Sequence, residues 1–461
     1  MNLPAEIFRT YDIRGVVGAS LAPALAREIG RALGTLGRER GAATFAVGRD
    51  GRLSGPQLVA ALAEGLAGAG ADVIDLGMAP TPAIYFAAHH LGCGSCVAVT
   101  GSHNPPDYNG LKMVVGGDTL HGEEIQGLRK IILAGKFSSG NGKRSRADIL
   151  DAYVERIAGD VKLARPMRIA VDCGNGVAGM LAPRLYRRLG CEVEELFCEV
   201  DGNFPNHHPD PSQLENLADL KKNLLSSSCE IGFAFDGDGD RLGLVARDGE
   251  VIFPDRQLML FAKDVLERNP GAQIIYDVKS TRLLAPWIER HGGRPLIWKT
   301  GHSLIKAKLK ETGAPLAGEM SGHTFFKERW YGFDDALYAG ARLLEILSRE
   351  KNIDRVLKSL PNLPSTPELH WKLEEGEPHA TIAKLQAQLQ SAQPFPGAER
   401  VLTIDGVRVE YADGFGLARA SNTTPVVVLR FEGDDAAALE RIKGEFRRAL
   451  QPLKPNVPLP F

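Results

Sequence analysis

Residues 231–241 read Ile-Gly-Phe-Ala-Phe-Asp-Gly-Asp-Gly-Asp-Arg, an apolar run that passes directly into three aspartates spaced by glycine. A short run with no polar face belongs to a strand covered on both sides, as in a parallel sheet packed between helices. Beyond it, the glycines let the chain turn. Carboxylates at alternate positions (Asp236, Asp238, Asp240) then face inward and offer hard oxygen ligands to one Mg²⁺. A solvated acidic turn is the plain alternative, but it needs neither the repeated glycines nor so apolar a strand before it. The register excludes an EF-hand. Counted from Asp236, position six is Arg241 rather than glycine and position twelve is Arg247 rather than glutamate.

The same form recurs on both sides of this stretch. Upstream, strands are expected at 44–47, 72–76 and 96–99. The first is followed by a helix with Ser54 as its cap, Pro56 in its first turn and Leu58, Leu62 and Leu66 on one face. The pattern restarts at Met167, with a helix over 177–189 before the strand at 231–235. It restarts again with strands at 273–278, 296–298 and a segment ending at Glu319. Short apolar strands alternating with helices predict three similar α/β domains with largely parallel sheets. The last hundred residues differ. Strands near 369–373, 416–418 and 426–431, a hairpin at Asp405-Gly406 and a closing helix predict a small C-terminal α+β domain. The expected domains are 1–147, 148–250, 251–362 and 363–461.

Composition excludes several classes. The chain has 461 residues, 44% of them hydrophobic and 24% charged, with 55 basic against 57 acidic groups and a formal net charge of -2. That balance leaves no overall footprint for nucleic acid or an anionic membrane. No run of about 18 apolar residues occurs and the N-terminal stretch lacks a signal-peptide pattern, so a cytoplasmic protein is expected. Six cysteines in such a chain are no disulfide framework. Cys93 and Cys96 have no second pair to complete a zinc site, and Cys96 opens an apolar strand as a small packing residue.

Four further segments carry chemistry. Residues 97–99 run into Thr100-Gly-Ser-His-Asn-Pro-Pro106. Gly101 lets backbone amides approach an anion, while Pro105 and Pro106 fix the loop. Ser102 is thereby exposed at the carboxyl end of a strand, where open α/β sheets bind ligands. An ordinary Ser/Asn/Pro turn has the same composition, and His103 reads either as a base or as a turn residue. In Gly318-Glu-Met-Ser-Gly-His323, the Glu319 carboxylate and the Ser321 hydroxyl fall on one side, which suits neighbouring sugar hydroxyls. A salt-bridged loop glutamate is the alternative. Lys279 and Gly301-His302-Ser303 follow strands and either face the same cleft or lie on the surface. Arg419-Ala-Ser-Asn-Thr-Thr424 gathers a guanidinium and short donors of the kind that bind a phosphate dianion, though a plain Ser/Thr turn looks alike. His207-His208 reads as a structured loop, since adjacent positions seldom converge on one ion.

Taken together and in order, these segments resemble the α-D-phosphohexomutase superfamily, within it the bacterial phosphomannomutase/phosphoglucomutase group. Tyr11-Asp-Ile-Arg14-Gly, Gly48-Arg-Asp-Gly-Arg52, residues 100–110 with Lys112, 236–241, 318–323 and 419–425 carry the resemblance from end to end. It implies four domains around a central cleft, the fourth closing as a lid that excludes water. It implies that Ser102 is the phosphoserine, and that Asp236, Asp238 and Asp240 hold Mg²⁺ with one oxygen of that group. Arg14, Lys112 and Arg241 would line the reacting centre with His103 nearby. Lys279, His302, Glu319, Ser321 and His323 would contact the sugar, and Tyr11, Arg419, Ser421, Asn422 and Thr423 would grip the non-reacting phosphate.

The activity implied is interconversion of hexose 1-phosphate and 6-phosphate, for mannose and glucose. It would pass through a hexose 1,6-bisphosphate that turns round in the site and also serves as activator. Lys112, His103 or His323 would accept the proton. A phosphosugar is the expected partner and a monomer the expected state, with neither nucleic acid nor membrane involved. Met320 favours glucose and mannose phosphates over the runner-up, a phosphoglucosamine mutase. A metal-dependent phosphatase with an aspartyl nucleophile is the rival from another class. Phe235-Asp-Gly-Asp238 resembles a haloacid dehalogenase-type start, with Lys279 and Asp334-Asp335 following in order. That reading leaves the Ser102 loop and the 419–424 turn unexplained. A phosphosugar-binding protein without catalysis would be expected to lack Ser102 or one aspartate, and all are present.

Overall fold

A computed structural model of the chain describes residues 3–391, 393–422 and 424–461. Its first sheet orders the strands Ile13–Val16, Tyr108–Val115, Cys96–Val99, Thr44–Arg49, Asp72–Met78 and Arg144–Arg146. The last four run parallel, and Tyr108–Val115 and Ile13–Val16 add antiparallel. Register matters here. Lys112 pairs with Ala98 and Arg14 with Gly110, so both basic residues reach the end of the sheet from which the Ser102 loop leaves.

The second sheet orders Val251–Ile252, Leu242–Ala246, Ile231–Phe235, Arg168–Asp172 and Glu192–Leu196. The third orders Arg294–Trp298, Gln273–Asp277, Leu316–Gly318 and Thr324–Phe326. Each keeps a parallel core of three strands and adds antiparallel strands at one edge. The fourth is wholly antiparallel, backed by the helices Glu377–Ser391 and Ala436–Leu450. The architecture is thus three α/β units with mixed sheets and a C-terminal α+β unit, as expected.

Two local expectations are corrected. Ser54 precedes the helix Gly55–Gly68, but its hydroxyl makes no capping bond and instead accepts from Asn109 Nδ2 at 2.9 Å. The stretch 177–189 is not one helix. A 3₁₀ turn, Val177–Met180, precedes the α-helix Ala182–Arg188, whose first turn holds Pro183. Proline suits a helix start and cannot continue an earlier one. Leu58, Leu62 and Leu66 are buried on one helix face as their spacing predicts.

Core packing separates the molecule in two. One apolar cluster runs from Phe86 through Tyr153 and Phe233 to Phe326 and Trp330, binding the three α/β units into one body. The C-terminal unit has its own core around Trp371, Phe395, Phe431 and Phe446. It is attached to the third unit by a small apolar cluster of Val278, Phe415 and Leu417 and by polar anchors. Arg408 donates to the carbonyls of Val278 and Ser280 at 2.7 and 2.6 Å, and Arg430 pairs with Asp255 at 3.0 Å. No helix among the described residues is long and apolar enough to cross a membrane.

Candidate active site

The carboxyl ends of the parallel strands place their loops around one cavity of about 1120 Å³, walled by all four units. Ser102 stands at its floor with a backbone φ of +49°, a left-handed conformation that a non-glycine residue adopts only when its surroundings impose it. The surroundings are specific. The Ser102 amide donates to Thr100 Oγ1 at 2.8 Å, and Thr100 and the Gly101 amide both donate to Asp50 Oδ2. Arg52, fully buried, pairs with Asp50 and donates to the carbonyls of Ser102, Asn104, Pro105 and Tyr108. One guanidinium therefore holds the whole loop. Sequence reasoning quoted Asp50 and Arg52 in a motif without a role; their position just past the strand Thr44–Arg49 was the available signal.

The aspartate loop meets the serine loop head on. Ser102 Oγ donates to Asp236 Oδ2 at 3.0 Å and lies 3.1 Å from His103 Nδ1. Asp236 Oδ1 accepts three backbone amides, those of Gly239, Asp240 and Arg241, each at 3.1 Å. Close approach is possible because residue 237 is glycine; a Cβ there would collide with the Ser102 carbonyl. Lys112 Nζ bridges Asp238, at 2.8 Å, and Asp240, and Thr81 Oγ1 also donates to Asp238 at 2.6 Å.

Asp236, Asp238 and Asp240 are all fully buried, with ligand atoms within 4.8 Å of one another. Asp238 Oδ1 and Asp240 Oδ1 have no hydrogen bond, although the latter lies 3.2 Å from His323 Nε2. Buried carboxylate oxygens left without donors are costly unless a cation meets them. This donor set fits a hard divalent ion. Burial and the charges of Asp238 and Asp240 push the Asp236 carboxyl well up. For Asp240, burial works against the charge but Lys112 and His323 outweigh it and hold the group well down.

The remaining expected residues face the same cavity. Arg14 pairs with Asp12 and reaches Asn104 in the serine loop, and Arg241 Nε approaches His323 Nε2 at 3.4 Å. Burial, with Arg241, Arg14 and Lys112 close by, holds the His103 ring neutral, far below the ordinary imidazole value. Burial disfavours charge on His323 too, but Asp240 and Glu319 outweigh it and push its pKa up to about 9. Glu319 accepts the Gly301 amide and lies 2.9 Å from His323 Nδ1; Ser321 Oγ lies 2.9 Å from the same nitrogen. Lys279 pairs with Glu368 at 2.5 Å. Tyr11 donates to the Thr300 carbonyl at 2.6 Å and accepts from Asn422, while Arg419 pairs with Asp405 at 2.9 Å. His302 and Ser421 also line the cavity. Thr423 lies outside the described residues.

His207 and His208 take separate partners, Asp172 at 3.0 Å and the carbonyl of His103, as a structured loop does. His208 of that loop also lines the cavity, as do Asp210 and Glu368, which sequence reasoning missed because neither sits in a pattern that marks it.

Comparison with known proteins agrees with this geometry. Family models for the phosphoglucomutase/phosphomannomutase alpha/beta/alpha domains I, II and III match residues 5–139, 151–249 and 253–363, and the model for the C-terminal domain matches 368–449. A phosphoglucomutase of Neisseria gonorrhoeae is 57% identical over 98% of both chains. A phosphomannomutase/phosphoglucomutase of Pseudomonas aeruginosa is 56% identical over 100% of this chain and 98% of its own. The crystal structure of a phosphoglucomutase/phosphomannomutase family protein from Burkholderia thailandensis superposes with a TM-score of 0.94, at 60% identity over the full length of both. With all four units matched in order over nearly the whole length, the chain belongs to the phosphoglucomutase/phosphomannomutase family of the α-D-phosphohexomutase superfamily.

Proposed function

We propose that this enzyme interconverts hexose 1-phosphates and 6-phosphates of glucose and mannose through a phosphorylated Ser102. The observation that carries the reading is the meeting of the Ser102 hydroxyl, 3.0 Å from Asp236, with a buried acidic triad in which Asp238 Oδ1 has no hydrogen bond. Asp236, Asp238 and Asp240, with an oxygen of the phosphoserine, would hold Mg²⁺. When bound, the ion neutralises charge on the transferring phosphoryl group.

The chain's own residues do the rest. Arg14, Lys112 and Arg241 surround the phosphoserine with positive charge, and Arg52 keeps its loop rigid. Glu319, Ser321, His302, His323 and Lys279 orient the sugar ring. Tyr11, Arg419, Ser421, Asn422 and Thr423 hold the phosphate that is not reacting. The free sugar hydroxyl attacks the phosphorus of phosphoserine 102 and its proton passes to a base of the cleft; the bond from Ser102 Oγ to phosphorus breaks. The resulting hexose 1,6-bisphosphate turns end for end, so that its other phosphate faces Ser102 and re-forms the phosphoserine. Added bisphosphate then acts as activator by restoring enzyme that has lost its phosphoryl group. A lid on separate polar anchors suits this cycle, because it can close against water and open for turnover.

A phosphatase would use Asp236 as nucleophile with Lys279 beside it. Lys279, on the third unit, is instead paired with Glu368 of the fourth at 2.5 Å. The deciding experiment assays mannose, glucose and glucosamine 1-phosphates with Mg²⁺ and catalytic hexose 1,6-bisphosphate, and traps the phosphoenzyme. Acid-stable phosphate on Ser102 and turnover of the glucose and mannose substrates are expected. Hydroxylamine-labile phosphate on Asp236, or full activity in Ser102→Ala, would overturn the reading.

A further inference from the structure

Asp334 and Asp335 are neighbours with different fates. Asp335 is saturated: it caps the helix Ala336–Leu347 through the Tyr338 amide and accepts from Tyr153 and Trp330. Asp334, fully buried, gives one oxygen to Lys306 Nζ at 2.9 Å and keeps the other free of any hydrogen bond. That spare Oδ2 lies 3.6 Å from His302 Nδ1 and 3.9 Å from His323 Nε2. Both ring nitrogens of His302 are also buried without a hydrogen bond.

The His302 ring is confined. It lies edge-on to Tyr11, with centroids 6.2 Å apart, and tilted against His323 at 5.9 Å. Lys306, one turn further along the helix His302–Thr312, is fixed over the Tyr85 ring at 4.2 Å. Burial, with Lys306 and Lys112 near, holds His302 neutral. A neutral imidazole carries one N–H, and the nitrogen beside a carboxylate is the one that keeps it.

We propose that Asp334 is a positioning residue of the cleft: it takes the Nδ1 proton of His302 in a hydrogen bond and so presents His302 Nε2 as an acceptor to a hydroxyl of the bound sugar phosphate. The 3.6 Å separation is just beyond hydrogen-bond range, and such contacts tighten when substrate closes a site. A second cation held by Asp240, His323 and Asp334 is the competing use of the same atoms. It is disfavoured because both ring nitrogens of His323 already face carboxylates, Glu319 at Nδ1 and Asp240 at Nε2, which leaves that ring no lone pair for a metal. The inference rests on the mutase reading of the cleft.

Asp334→Asn tests it with little change of shape. Lys306 claims the amide oxygen, the amide nitrogen faces His302, and the proton is driven to Nε2. Loss of a group that orients a functional histidine typically costs about 10- to 100-fold, so kcat/KM for glucose 1-phosphate should fall by the same factor, while the melting temperature stays within a few degrees. In a His302→Ala background the same change should cost less than about threefold more, since its effect passes through that ring. The ¹⁵N spectrum of histidine-labelled protein should show Nδ1 protonated in the wild type and Nε2 protonated in the variant. Should Asp334→Asn fold poorly, Lys306→Met releases the same carboxylate and should lower kcat/KM roughly 3- to 10-fold, again only while His302 is present. Losses that multiply in the double variant, an unchanged tautomer, or a second bound Mn²⁺ lost in Asp334→Asn would each overturn the proposal. A wild type inactive on every hexose 1-phosphate sinks the mutase reading instead.

Discussion

At the scale of single residues, the site turns on atoms that lack partners. Asp238 accepts from Thr81 and Lys112 through Oδ2 and leaves Oδ1 buried without a hydrogen bond. If that oxygen serves Mg²⁺, Asp238→Asn removes one charged ligand and keeps the volume. The Mg²⁺ concentration for half-maximal rate should then rise about 100-fold, read from initial rates against Mg²⁺ after chelation; an unmoved curve would place the ion elsewhere. The three aspartates were legible in the sequence because their spacing is local: alternate positions separated by glycine converge whatever surrounds them. Arg52 was not. Its four carbonyl partners lie at positions 102, 104, 105 and 108, and no spacing near residue 52 announces them.

At the scale of elements, two loops from different sheets act as one surface. The serine loop leaves Cys96–Val99, the aspartate loop leaves Ile231–Phe235, and the backbone at Gly237 passes against the Ser102 carbonyl. Gly237→Ala forces them apart, because the added Cβ meets backbone that cannot rotate away. A misplacement of about 1 Å between nucleophile and ligands costs on the order of 100-fold in kcat. The chain should still fold and melt only slightly earlier, since the change touches no core residue. Turnover and circular dichroism on one sample check this, and near-normal kcat would mean that the loops need not touch. Where elements begin was less legible. Ser54 has the chemistry of a cap, but Asn109 from a neighbouring strand takes its hydroxyl, and local propensity yields to a tertiary partner.

At the scale of the whole molecule, three units share one large apolar core, while the fourth has its own and meets the third through only a small apolar cluster. Apolar interpenetration resists relative motion, whereas a few buried polar anchors let a rigid body settle in a defined pose. Arg408 is such an anchor, fixed over the Phe415 ring at 3.8 Å while donating to two carbonyls of the third unit. Arg408→Ala leaves those carbonyls unsatisfied, at about 1–3 kcal/mol, and loosens the C-terminal unit. Two consequences are expected: an early, separate unfolding transition by calorimetry, and a KM for the sugar phosphate raised roughly tenfold, as about 1.4 kcal/mol implies. A single unshifted transition with unchanged KM would show that the anchor is dispensable.

The chain by itself determined the alternation of apolar strands and helices, the α+β character of the last unit and the chemistry of each loop, because those depend on neighbours within a few residues. The meeting of the loops was decided only in three dimensions. Arg52 clamping four carbonyls, Lys112 bridging two aspartates, Asp334 facing His302 and Arg408 pinning the C-terminal unit all join residues far apart in the chain. Such contacts follow from which surfaces pack together, and packing is a property of the whole sequence rather than of any stretch within it.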